Sequence, residues 1–108
     1  MPAAARQGDT VNTGHGCDGT TTIQGPCSPN VNIGGKPAAR MGDLLAAHQI
    51  TNPAPSPPNP PCIPHPGQKI NAGSSTVLIN GLKAARVGDS ADSGSISGAG
   101  APTVIIGG

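Results

Sequence analysis

The sequence has no phenylalanine, tyrosine or tryptophan, and no glutamate. Losing the aromatics removes the side chains that bury the most surface in an ordinary core. Only 18 of the 108 residues are isoleucine, leucine or valine, so the core of this one-domain chain is thin. Charge is scarce too: six basic residues stand against five aspartates, for a net charge of +1. With no Lys or Arg cluster and no aromatic to stack on a base, nucleic acid is excluded as a partner. No apolar run approaches the ~20 residues of a membrane-spanning helix, so stable membrane insertion is not expected. Met1–Thr10 also lacks the apolar stretch of a secretory signal peptide. These absences predict a protein made in the cytoplasm that does not leave by the general secretory route. A disordered chain would combine few aliphatic residues with high net charge, and only the first holds here. The 17 glycines show no three-residue period, which excludes a collagen-like chain.

What the sequence does have is an internal repeat. Ile23–Asp43 reads IQGPCSPNVNIGGKPAARMGD and Ile70–Asp89 reads INAGSSTVLINGLKAARVGD, and the two align with one gap. A third copy is split across the ends, its back half at Ala4–Asp9 (AARQGD) and its front half at Ile96–Gly108 (ISGAGAPTVIIGG). Each copy reads as strand, turn, strand, turn. The β-branched runs around Val31, Val77 and Val104 are bounded by glycine, as short strands are. Gly34-Gly35 and Asn80-Gly81 suit hairpin turns that need positive φ, and each Gly-Asp marks a further turn. Helical spacing is confined to a single turn at Leu44–His48. A unit this small cannot bury its own apolar face, so the copies must pack on one another. The prediction is an all-β, conical, pseudo-threefold body closed by its two ends, which also protects the sheet edges. The repeat's arginine and aspartate are assigned to turn structure and mutual pairing.

The connections between copies carry the candidate metal ligands. They run from Thr10 to Thr22, from Leu44 to Lys69 and from Ser90 to Ser95, and pseudo-symmetry sends all three to one end of the body. All three histidines, His15, His48 and His65, fall in the first two connections, as do Cys17 and Cys62. Cys27 lies in a different turn and reads as a buried free thiol. An odd number of cysteines in a reducing compartment argues against a disulfide framework. Topology therefore groups His15, His48, Cys62 and His65, with Cys17 as neighbour or substitute for the thiolate. Three imidazoles and a thiolate complete a tetrahedral zinc site. A structural zinc supplies ~10–16 kcal/mol of apparent binding energy, the kind of staple a thin core needs. Thr51–Gly67, TNPAPSPPNPPCIPHPG, is proline-rich and reads as a stiff, extended loop over this end, pinned by Cys62 and His65.

Pro37-Ala38-Ala39-Arg40, with its degenerate copies Ala3–Arg6 and Lys83–Arg86, resembles the PAAR-repeat family over essentially the whole chain. The resemblance implies a sharp cone seated on the trimeric VgrG spike of a type VI secretion system, or the equivalent tip of a contractile phage or tailocin spike. It implies one structural zinc near the point, held by three His and one Cys, which maps to His15, His48, His65 and Cys62. It also implies a chain that is monomeric alone, caps one trimer, pierces a target membrane when the sheath contracts, and is ejected with the spike. The chain ends inside the repeat at Gly108, so the expectation is one domain over residues 1–108, no fused effector domain, and non-covalent effector delivery.

Two other readings compete. A zinc hydrolase needs an open metal position and a nearby base. With no glutamate, and three of five aspartates used in repeat turns, the residues near the ligands by sequence offer only Asp18; Asp92 lies in the third connection. The expectation is therefore that the protein is not an enzyme. A scaffold that recruits a partner through its proline stretch is the other reading. Neither accounts for the repeat.

Overall fold

Three Arg-x-Gly-Asp turns set the frame of the molecule. In each, the glycine lies in the left-handed region, with φ of +89° at Gly8, +95° at Gly42 and +94° at Gly88, a conformation that costs glycine little. Each turn closes with the aspartate N–H donating to the arginine carbonyl, at 3.1, 3.1 and 3.0 Å for Asp9, Asp43 and Asp89. The computed structural model describes residues 2–52 and 61–107. Among these residues the elements are short strands, with no helix.

The larger sheet gathers β1 (Thr10–Asn12), β2 (Thr20–Gly25), β5 (Leu44–Leu45), β10 (Ser90–Ala91) and β11 (Gly94–Ile96), all antiparallel, in the order β10-β11-β1-β2-β5. Bridges from Leu44 to Lys69 and from Ile70 to Ala91 join its two outer strands through the segment Lys69-Ile70. The sheet is thus curled, and these bridges cover part of its two edges. Two hairpins precede the alanine-arginine runs. β3 (Asn32–Ile33) pairs with β4 (Lys36–Pro37), and β8 (Leu78–Ile79) pairs with β9 (Leu82–Lys83). Their tips are Gly34-Gly35 and Asn80-Gly81, all four residues at positive φ, as the sequence predicts for two-residue turns. The remaining hairpin pairs β6 (His48–Thr51) with β7 (Cys62–His65).

The repeat is threefold in its bonding as well as its sequence. Ala5 N–H donates to the Ala85 carbonyl, Ala85 to Ala39, and Ala39 to Ala5, each at 3.0 Å. This ring of three hydrogen bonds links one alanine from each copy. A second set repeats the pattern: Gly8 to Ile23, Gly42 to Ile70 and Gly88 to Ile96, at 2.8, 2.9 and 2.8 Å. Two apolar clusters lie along the body. One joins Ala5, Ala39 and Ala85 to Val11, Ile23, Leu45, Ile70, Ala91 and Ile96, and the other joins Ala4, Ala38 and Ala84 to Ile33, Ile79 and Ile106. Within a copy the chain runs from a hairpin, through the second cluster, the alanine ring and the first cluster, to a connection. The molecule is elongated, 48 × 24 × 22 Å. Alanine dominates the axis because three segments of the chain meet there and larger side chains would not fit at interior packing density.

Two expectations need adjustment. The helical turn at Leu44–His48 is instead β5 and the start of β6. Leu45 is buried and Leu44 exposed, so the pair alternates as a strand does, and Ile23 takes Leu45 as its partner. The stiff proline stretch falls partly on residues 53–60, outside the described residues, while its flanks Thr51 and Cys62 pair in the β6–β7 hairpin.

Cys27 is buried and free. Its thiol is pushed up from an ordinary 9.0 to about 12, mainly by burial and then by the Asp43 carboxylate. Because the folded value exceeds the unfolded one, the unfolded chain binds fewer protons between them. Stability from this group is therefore full below about pH 9 and falls as pH rises toward about 12. The native protein is expected to resist iodoacetamide at neutral pH and to be alkylated at Cys27 within minutes in denaturant, as read by intact mass.

Candidate metal centre

The three histidines converge, as the connections predict. His48 and His65 are direct cross-strand partners in the β6–β7 hairpin. The loop after β1 brings His15 to them and is fastened at several points. The buried Thr13 hydroxyl donates to the Asp18 carbonyl at 2.8 Å and accepts from His15 N–H at 3.2 Å. Asp18 N–H donates to the Gln49 carbonyl, and Asp18 Oδ2 accepts from Gln49 N–H at 2.8 Å. The His15 and His65 rings lie edge-on at 4.9 Å between centroids, and those of His48 and His65 at 5.3 Å.

The residue at the centre of this cluster is Asp92, from the third connection. His15 Nε2 lies 3.0 Å from Asp92 Oδ1, His48 Nε2 2.7 Å from Oδ2, and His65 Nδ1 3.6 Å from Oδ2. The Asp92 side chain is 2 % exposed. It occupies the tight turn between β10 and β11 at φ +53°, a conformation that aspartate tolerates better than most residues. Asp92 N–H donates to Lys69 and its carbonyl accepts from Asn71 Nδ2 at 3.1 Å. Sequence reasoning placed Asp92 at this end of the body but did not include it among the ligands. The available clue was its place in the connection that carries no histidine.

Cys62 departs from expectation. It forms a disulfide with Cys17, with the Cα atoms 6.1 Å apart, inside the range a disulfide requires. The expectation of unpaired thiols is therefore corrected, and a sulfur in a disulfide is not a thiolate ligand. The cause is local. Cys17 follows His15 by two residues and Cys62 precedes His65 by three, so gathering the histidines draws the two sulfurs together. Cys17 takes φ +65° at this point. The structure thus brings His15, His48 and His65 onto one carboxylate and ties Cys62 to Cys17 alongside.

The donor set suits a divalent cation. His15, His65 and Asp92 offer ligand atoms all within 4.8 Å of one another. Nitrogen and oxygen donors of this kind bind zinc. Among the described residues His65 Nδ1 is buried and has no hydrogen-bond partner, which leaves a lone pair to coordinate.

A threefold ring of backbone hydrogen bonds, with a ligand cluster where the connections meet, defines a small all-β repeat module. The PAAR motif family model matches residues 61–108, so this part of the chain is similar to that family. The literal Pro37–Arg40 lies outside the matched stretch, yet Ala39 and Ala5 share one hydrogen-bonded ring with Ala85 inside it. No match to a curated protein was found.

Proposed function

We propose that this chain is the tip of a contractile injection spike, capping the trimeric VgrG-type spike of a type VI secretion system. The PAAR motif family is associated with such tips. The observation that carries the reading is the ring of alanine hydrogen bonds, which makes a single chain threefold. One chain of that symmetry can meet three identical spike chains equivalently. The hairpin side of the body is the face for this contact. Leu78 and Ile105, at equivalent positions of two copies, are 61 % and 60 % exposed, and Leu82 and Val77 are exposed beside them. Exposed apolar residues grouped in this way suit a protein interface. At the other end, zinc held by His15, His48 and His65 fastens loops where no core can form. No helix among the described residues is long and apolar enough to cross a membrane. Function on this reading is mechanical: the tip pierces a target envelope and aids delivery of effector cargo.

The test is mass measurement after mixing the protein with a trimeric VgrG-type spike from the same source. One chain per trimer is expected, and Leu78→Asp combined with Ile105→Asp should weaken the complex at least about tenfold, since burying unpaired charge costs several kcal/mol. A folded wild-type chain that leaves the trimer unoccupied would rule the reading out. Chelation gives a second check. A metal at ~100 times its Kd stabilises by about 2.7 kcal/mol, so EDTA should lower the melting temperature by roughly 10 °C and zinc should restore it.

A further inference from the structure

We propose that the tip meets the three identical spike chains unequally: two through apolar contacts, and the third through a carboxylate of that chain bound by Arg6 and Lys36. This rests on the reading of the hairpin side as the face that meets the spike.

The bonding of the copies fixes which residues are equivalent. Ala38 N–H donates to the Val31 carbonyl, Ala84 to Val77 and Ala4 to Val104, at 2.9, 3.0 and 2.9 Å. Ser28, Ser74 and Ala101 match in the same way, since their N–H groups donate to Ala38, Ala84 and Ala4 at 2.8, 2.8 and 2.9 Å. Gly34, Asn80 and Gly107 each follow their valine by three residues and hold the same place in the three turns.

Side chains seal two of the three joints between copies. In one, Asn80 Oδ1 accepts from the Ser28 hydroxyl at 2.6 Å and from Arg40 Nη1 at 3.3 Å. In the next, the Gly107 carbonyl accepts from the Ser74 hydroxyl at 2.6 Å and from Arg86 Nη1 at 3.4 Å. The third joint pairs Ala101 with Gly34. Alanine has no hydroxyl to donate, and glycine has no side-chain oxygen to accept. Arg6 Nη1 lies against Gly34, 2.9 Å from where a Cβ there would stand. The guanidinium donates through Nη2 to Asp9 and to the Gly100 carbonyl, at 3.4 and 3.2 Å. Among the described residues its buried Nε has no partner, whereas Arg40 and Arg86 direct Nε to their aspartates. Arg6 is therefore the least neutralised of the three arginines. Its side chain keeps 13 % exposure beside the exposed Gly34, and guanidinium–carboxylate bonds are among the strongest hydrogen bonds a protein makes.

The exposed side chains divide along the same line. Leu78 and Ile105 hold equivalent positions, and the third such position is the exposed Asn32. Across the hairpins, Lys36 pairs with Ile33 where Leu82 pairs with Ile79. The hairpin at the unsealed joint is thus polar and cationic where the other two are apolar. Three identical spike chains present one kind of surface to all three sectors. A surface holding both apolar side chains and a carboxylate complements each of them: its apolar part meets Leu78 and Ile105, and its carboxylate meets Arg6 and Lys36. Charge complementarity of this kind fixes register and partner choice.

The experiment measures the affinity of full-chain variants for a trimeric VgrG-type spike from the same source. Gly34→Asn combined with Ala101→Ser rebuilds at the third joint the bonds that Asn80 makes with Ser28 and Arg40. Gly34 already stands at φ +59°, against +54° at Asn80, so the turn accepts the change. The double variant should melt no lower than the parent and bind the trimer roughly tenfold or more weakly, the loss of one charge-assisted hydrogen bond. Lys36→Glu, on an exposed side chain, should weaken binding at least about tenfold by setting like charges together. Lys83→Glu, the same charge reversal in the β8–β9 hairpin, should cost no more than about fivefold, the scale of an exposed pair. A double variant that binds as tightly as the parent would overturn the inference and leave the proposed function standing. So would equal losses from Lys36→Glu and Lys83→Glu, and that comparison decides the matter if the double variant melts below the parent. A parent chain that leaves the trimer empty would overturn both.

Discussion

Asp43→Ala is expected to cost ~3–5 kcal/mol, the range for removing one member of a buried ion pair, and to leave the protein largely unfolded at 37 °C. Asp43 is 2 % exposed and accepts from four donors. Arg40 N–H donates at 2.7 Å, Arg40 Nε at 3.3 Å, Arg40 Nη2 at 3.1 Å and Cys27 N–H at 3.1 Å. Alanine would strand a guanidinium that is itself 8 % exposed and orphan two backbone donors. Urea unfolding of the variant against the parent measures the loss. The matching Asp89→Ala should cost less, because the Arg86–Asp89 side chains are 16 % and 10 % exposed and water can replace part of what is removed. Equal effects at the two positions would mean that burial does not govern the strength of these pairs.

Ala39→Leu is expected to be the most damaging apolar substitution relative to its chemistry. Ala5, Ala39 and Ala85 are each within 1 % of full burial and belong to one cluster. Their backbones are hydrogen-bonded in a closed ring, so none can withdraw without breaking bonds to the other two. Overpacking of this kind costs ~1–3 kcal/mol and sometimes more, which for a domain of this size lowers the melting temperature by on the order of 10 °C. On the function proposed above, the variant would also lose binding to the spike in proportion to its loss of order, because the ring defines the threefold symmetry. Leu82→Ala, on an exposed residue, should leave stability within about 0.5 kcal/mol of the parent. A calorimetric scan of both variants checks the contrast.

Much of the architecture was legible because repetition is a property of sequence. Three copies of Ala-Ala-Arg-x-Gly-Asp predicted three equivalent turns, and the turns share the glycine φ and an arginine–aspartate pair, although only Arg40 and Arg86 also use Nε in it. Gly34-Gly35 and Asn80-Gly81 announced their hairpins because few other residue pairs adopt two successive positive φ values. The convergence of His15, His48 and His65 was legible for the same reason, since equivalent connections must emerge on one side. The strand at Leu44–Leu45 was less so. A two-residue strand has no period of its own, and its partner Ile23 decides what it is.

What sequence alone determined about this protein is its symmetry, its all-β class and the end at which its ligands gather. Tertiary structure alone decided which side chains meet at that end. Cys17 and Cys62 are 45 residues apart, and only the docking of one loop on one hairpin brings them within bonding distance. Asp92 is 77 residues from His15. It becomes the centre of the cluster because a tight turn at positive φ, held to Lys69 and Asn71, fixes its buried carboxylate among the three rings. Repeats fix topology through local rules that recur along the chain, whereas ligand identity depends on distances of a few ångströms between segments that share no local rule.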